Sequence, residues 1–123
     1  MTRTAVRSVT EADAERTIAA LTLAFATDPV IRRFYPDPRD HLTHFSEMMR
    51  IQIAPAIARD SAHYVEGFRA AAIWYPPADP DGDVEAQDAS RAEMDALVGR
   101  TASRDGNDDL FAALAQVGKF HPE

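Results

Sequence analysis

Six consecutive residues from Ala70 to Tyr75 (Ala-Ala-Ala-Ile-Trp-Tyr) are apolar or aromatic at every position, and Pro76-Pro77 then stops the run. A strand with one face in water alternates apolar and polar residues; a strand apolar throughout needs cover on both faces. The stretch before it, Ser61 to Glu66, reads as a strand, and Gly67-Phe68 reads as the turn of an antiparallel hairpin. Helices are therefore expected on both sides of a short sheet. No segment after Tyr75 has the pattern of a strand, so the outer edge of the apolar strand needs a partner. The candidates are the amino-terminal segment, a second chain, or a strand beyond Glu123.

The helices come from punctuation as much as from periodicity. Thr4 to Val9 alternates as a short strand, and Thr10 with Asp13 resembles a capping box opening a helix. Ala14, Ile18, Leu21 and Phe25 form one apolar stripe in that helix. Asp28-Pro29 and Asp37-Pro38 each place a carboxylate at an N-cap before a proline at the first helical position. The first opens a short helix over Val30 to Phe34. The second opens a longer one with Leu42, Phe45, Met49, Ile53 and Ile57 on its apolar side, which Pro55 should kink or split. Ser90 with Glu93 predicts a further helix that stops at Gly99, and Leu110, Phe111, Leu114 and Val117 define a last one from about Asn107. The loop at 78–82 separates the hairpin from these two helices. Strand, helices, two strands, helices: the pattern is that of one α/β or α+β layered domain over residues 1–123, with a short, mainly antiparallel sheet packed by helices.

Composition bounds the function. A formal charge of −7 disfavours nucleic-acid backbones and anionic membranes as partners. With no cysteine, thiol catalysis, disulfides and thiolate metal sites are excluded. No apolar run is long enough to span a bilayer and the amino terminus lacks a signal-peptide core, so a cytoplasmic location is expected. His41 and His44, near Asp37 and Asp40, lack an evident third ligand, and they read as a solvated helix face rather than a metal site. Asp79/Asp81/Asp83 and Asp105/Asp108/Asp109 depart from the spacing of a calcium loop and read as loop solubility and helix capping. No metal is expected.

The segments Leu21–Pro38 (LTLAFATDPVIRRFYPDP), Ala70–Pro77 (AAAIWYPP) and Lys119–Glu123 (KFHPE) together resemble the GNAT N-acetyltransferase superfamily, in the bacterial subgroup with Phe-x-x-Asp-Pro after the first helix. The resemblance runs in order along nearly the whole chain and covers the amino-terminal, acceptor-side portion of that fold. It implies acyl transfer from acetyl-CoA to an amine on a small molecule or peptide. It also implies that the central strand and the glycine-loop helix that hold the cofactor's pyrophosphate lie outside these 123 residues. The five glycines are scattered and no Gly-x-Gly occurs. The chain alone is thus expected to lack a cofactor-binding residue and to be inactive.

By the same resemblance Phe25, Asp28, Arg32, Phe34 and Tyr35 would lie near the acceptor, with Trp74 and Tyr75 lining it from the strand. An acidic group attracts a cationic amine, and aromatic faces hold its charge or its apolar part. Several have a plainer reading: Asp28 as a helix cap, Phe25 and Trp74 as core, and Arg32, with Arg33, as solvated cations of which one is paired to an aspartate. The general base stays open; His63 and Glu66 are conceivable. The alternative to an acyltransferase is a non-enzymatic assembly or small-molecule-binding module that dimerises through the exposed sheet edge.

Overall fold

The computed structural model describes residues 5–74, 84–104 and 107–117. The chain is α+β. Strand β1 (Val6–Ser8) is followed by a single 3-10 turn (Glu11–Asp13) and helices α1 (Ala14–Ala24), α2 (Pro29–Phe34) and α3 (Pro38–Asp40). A π-helical segment (His41–Phe45) then leads without a break into α4 (Ser46–Ala58). The hairpin β2 (Ala62–Val65) and β3 (Ala71–Ile73) comes next, then α5 (Val84–Thr101) and α6 (Asp108–Val117).

Three of the predicted start signals form as local chemistry requires. The Asp13 carboxylate accepts the Thr10 N–H at 3.1 Å and the Thr10 hydroxyl at 2.8 Å. Asp28 Oδ1 accepts the amides of Val30 and Ile31, at 3.0 and 3.1 Å. Asp37 accepts the Arg39 amide at 2.8 Å. In each case a carboxylate satisfies N–H groups that have no carbonyl one turn back.

The sheet is antiparallel in the order β1-β2-β3, with Val6 opposite Val65 and His63 opposite Ala72. The amino-terminal strand therefore pairs with β2 and leaves the outer edge of β3 without a strand among the described residues. Cover on both faces is also corrected. Ala62, Tyr64, Ala71 and Ile73 point into the helical layer, where α1 and α4 pack on the hairpin. The opposite face carries His63, Val65 and Ala72, half-exposed and outside either core cluster, with Val6 open to solvent. The uniform apolarity of Ala70–Trp74 marks a strand whose second face is uncovered among the described residues, rather than one sandwiched by this chain's helices.

Two core clusters meet at Met49 and Ile73. One joins Val9, Ile18, Ile53, Ala56 and Ala62 between the sheet, α1 and α4. The other joins Leu21, Phe34, Tyr35, Phe45, Met48, Leu97 and Ala102, so α5 closes over α2 and α4.

Three helix expectations change. α4 continues through Pro55 to Ala58 and is not split there; the proline forfeits one amide bond, to the Ile51 carbonyl, while Ile53 and Ala56 on either side of it are buried in the core. α5 begins at Val84 and runs through Gly99 to Thr101, so Ser90 is not a start nor Gly99 a stop. One interior glycine costs a helix about 1 kcal/mol, which packing of Leu97 offsets. Leu42 faces solvent and His41 faces the core. The π-helical turn pairs residues five apart, which swings residue i+4 over residue i and turns residue i+3 aside. His41 thereby joins Phe45, and Leu42 loses its place in the apolar stripe. Tyr75, Pro76-Pro77, the loop at 78–82, the Asp79/Asp81/Asp83 run and Lys119–Glu123 lie outside the described residues.

Candidate functional site

Three of the seven expected acceptor residues, Phe25, Asp28 and Arg32, lie at the junction of α1 and α2. Backbone hydrogen bonds string the three together: the Asp28 amide donates to the Phe25 carbonyl at 3.1 Å, and the Arg32 amide donates to the Asp28 carbonyl at 2.9 Å. Phe25 ends α1 with 39% of its surface exposed, and its ring lies 5.3 Å from that of Phe45. The aromatic face is thus supported from below and open above. Asp28 caps α2 through Oδ1 alone. Its Oδ2 has no hydrogen-bond partner among the described residues. Arg32 is half-buried and likewise makes no side-chain hydrogen bond or ion pair among the described residues, whereas its neighbour Arg33 donates to Asn107 Oδ1 at 3.0 Å and to Asp109 at 3.3 Å.

Phe34 and Tyr35 sit below this junction in the core. Phe34 meets Phe111 edge-on at 5.2 Å. Tyr35 is 1% exposed, with its hydroxyl 2.8 Å from Thr101 Oγ1. Burial raises the Tyr35 phenol above its ordinary value, opposed by the Thr101 hydrogen bond and reinforced by the Glu47 and Asp40 carboxylates. Trp74 follows β3 at the far edge of the sheet, 63% exposed. Its amide donates to the Ser61 carbonyl at 2.7 Å, which carries the hairpin ladder one residue beyond Ile73. The structure therefore brings Phe25, Asp28 and Arg32 together at one turn, places Phe34 and Tyr35 beneath them, and gives Trp74 no ring contact with any of these. Tyr75 lies outside the described residues.

The histidines separate. His41 is 2% exposed, stacks on Phe45 at 5.1 Å, and holds Nε2 at 2.9 Å from the Thr22 carbonyl. A carbonyl only accepts, so Nε2 carries the proton and Nδ1 is left as an acceptor without a partner among the described residues. His44 Nδ1 lies 3.0 Å from Glu47. No group of three potential metal ligands occurs among the described residues. His63 stands on the uncovered face of the sheet opposite Ala72, and Glu66 pairs with Arg7 at 3.5 Å. Neither approaches the α1–α2 junction through a bond.

The sequence reading missed Asn107. It is 2% exposed, donates to the carbonyls of Arg33 and Ser103 at 2.7 and 2.9 Å, and accepts from Arg33. With the Ser103 amide donating to the Phe34 carbonyl at 2.7 Å, it fastens the α5–α6 junction to the end of α2. The only signal in the sequence is an asparagine before a helix, which reads as an ordinary cap.

A pyrophosphate would need a helix N-terminus with free amides. Among the described residues the starts of α2 and α3 are filled by Asp28 and Asp37, Asp13 stands before α1, α4 emerges from the π-helical turn, and α6 opens with Asp108 and Asp109. The starts of α1, α2, α3, α4 and α6 do not fit an acetyl-CoA pyrophosphate.

No family model matches the chain, and no curated protein or solved structure matches it either.

Proposed function

We propose that this chain is the acceptor-binding portion of a GNAT-like N-acetyltransferase, a fold that moves an acetyl group from acetyl-CoA to an amine. The observation that carries the reading is the division of labour within Asp28. One carboxylate oxygen caps two amides of α2, which fixes the side chain, and the other has no partner among the described residues, on the turn that follows the partly exposed Phe25. A fixed carboxylate and an aromatic side chain on one turn supply what a primary ammonium needs: an acceptor for its N–H and a ring for its charge or stem. A short antiparallel sheet packed by helices is compatible with the fold that the resemblance implies. In this reading the described residues belong to the acceptor side, and no step through acetyl-CoA is assigned to these side chains.

The test is a titration of the chain with primary amines (a polyamine, an aminoglycoside and a short peptide with a free amino terminus), read by thermal unfolding and calorimetry. An amine at a hundredfold over its Kd stabilises the fold by about 2.7 kcal/mol. Asp28→Asn keeps the cap, because asparagine caps as well as aspartate, and should abolish the shift without lowering the unligated Tm. Acetyl-CoA alone should give no shift. Saturable acetyl-CoA binding would place a donor site within the chain. Indifference to every amine at millimolar concentration would remove the acceptor reading.

A further inference from the structure

We propose that the ligand of the α1–α2 junction is a zwitterion: an amino acid whose ammonium meets Asp28, whose carboxylate meets Arg32 and whose apolar side chain lies against Phe25 and Val30. The inference rests on the amine-acceptor reading above and narrows it from amines in general to amines that carry their own anion.

Asp28 and Arg32 stand one helical turn apart, joined by the Arg32 amide donating to the Asp28 carbonyl at 2.9 Å. Residues four apart on a helix share a face, and an acid placed four before a base is well set to pair with it. A helical side chain also leans toward the amino-terminal end, which carries Arg32 toward the turn of Asp28. Yet the two form no ion pair. The cause lies in the cap. Asp28 Oδ1 is committed to the amides of Val30 and Ile31, and swinging the carboxylate to the guanidinium would give up both bonds. Arg32 is half-buried and has no side-chain partner among the described residues. A partly desolvated guanidinium gains from any carboxylate that arrives, through charge-assisted and bidentate hydrogen bonds. Two unlike charges held on one turn and kept from each other match a molecule that carries both.

The neighbouring charge is spoken for: Arg33 donates to Asn107 and Asp109. One acid and one base remain, so the turn has no net charge. A polyamine or an aminoglycoside brings several cations and meets Arg32 as a like charge. A plain monoamine leaves Arg32 unpaired, and an amino acid satisfies both groups. The apolar contact comes from the same turn. Phe25 is 39% and Val30 44% exposed. The Phe25 carbonyl accepts the Asp28 amide, and the Val30 amide donates to the Asp28 carboxylate, so the two flank the acid. An apolar side chain laid on them removes surface of both from water. The first amides of α2 are filled by Asp28, so recognition falls to side chains and not to the helix end.

The test is calorimetric titration of the chain with three probes that share one side chain: phenylalanine, phenylalaninamide (ammonium only) and N-acetylphenylalanine (carboxylate only). Phenylalanine should bind about tenfold more tightly than either of the others. Arg32→Gln should lower its affinity to that of phenylalaninamide and leave phenylalaninamide itself unchanged, which also shows that the variant's site is folded. Arg59→Gln removes another half-buried arginine with no side-chain bond among the described residues, and should change neither. Asp28→Asn should weaken phenylalanine and phenylalaninamide alike. Phenylalaninamide binding as tightly as phenylalanine, or R32Q binding phenylalanine as the unaltered chain does, would overturn the inference and leave the amine reading standing. Binding of neither phenylalanine nor its amide would remove both. So would N-acetylphenylalanine binding as tightly as phenylalanine, because the ammonium would then play no part.

Discussion

Phe68 is held with φ at +55°, after Gly67 at +82°. Glycine enters that region freely; a phenylalanine enters it at a cost of about 1–2 kcal/mol. The offset is visible on both sides of its ring. Tyr64 stacks at 4.4 Å with an interplanar angle of 3°, and the Arg16 guanidinium lies 4.2 Å from the ring centroid. The turn of the hairpin is thereby tied to α1. Phe68→Ala keeps the strain and loses the stack, whereas Phe68→Gly loses both. The glycine variant should be the more stable of the two by about 1 kcal/mol in urea unfolding; the reverse order would mean that the backbone there is unstrained. Tyr35 makes a prediction in pH. Its folded-state pKa is raised above the ordinary 10.0, because burial penalises the phenolate first and nearby carboxylates add to it. The contribution is fully present below pH 10 and is lost as the pH climbs through the raised value. Tyr35→Phe should flatten the alkaline fall in stability above pH 10, measured as urea midpoints from pH 8 upward, while losing the Thr101 bond at neutral pH.

Among the elements, the short α2 depends most on its ends. A six-residue helix is not stable by itself; Asp28 and Pro29 at its start, and the Tyr35 amide closing on the Ile31 carbonyl at its end, define it. Asp28→Ala should cost about 1 kcal/mol, and Asp28→Asn close to nothing. That pair of variants separates the capping oxygen from the charge proposed to meet an amine. The π-helical turn at His41–Phe45 has another consequence. It exchanges an expected apolar contact from Leu42 for a buried imidazole bonded to the Thr22 carbonyl. Thr22 also donates to the Ile18 carbonyl at 2.8 Å and lies 3.2 Å from Ser46 Oγ, so a buried polar seam runs between α1 and the start of α4. Periodicity could not disclose this, because a stripe drawn at 3.6 residues per turn assumes the turn that the π-helical segment replaces.

At the scale of the whole molecule, the helical layer is held together from its two ends. The sheet anchors α1 and α4 through Ile18, Ile53 and Ala62, and Asn107 fastens the α5–α6 junction to α2. Truncating a buried side chain that satisfies two carbonyls leaves both without donors. Asn107→Ala should therefore cost about 2–4 kcal/mol, seen as a lowered urea midpoint. A loss below 0.5 kcal/mol would mean that other contacts, Phe111 and the Arg33–Asp109 pair among them, hold α6 in place. Helices α1, α2, α4, α5 and α6 all contribute to the core clusters on the inner face of the sheet, and no described helix is long and apolar enough to cross a membrane. Among the described residues, the face with Val6, Val65, Ala72 and Trp74 is left uncovered and the outer edge of β3 unpaired by this arrangement.

The amino-acid sequence by itself determined what depends on neighbours along the chain. The carboxylate–proline starts of α2 and α3, the hairpin turn at Gly67-Phe68, the strand–helix–strand order and the core role of Ile18 and Leu21 all follow from backbone donors, backbone dihedrals and periodicity within a few residues. The tertiary structure alone decided which strand the amino terminus joins, which face of β3 is covered, that Tyr35 and His41 lie inside, and that Asn107 bridges helices far apart in the chain. Each of these turns on a competition between distant groups for the same hydrogen bond or the same apolar surface. An apolar strand is equally consistent with cover on two faces or on one, since its sequence records how well a side chain tolerates burial and not what comes to bury it.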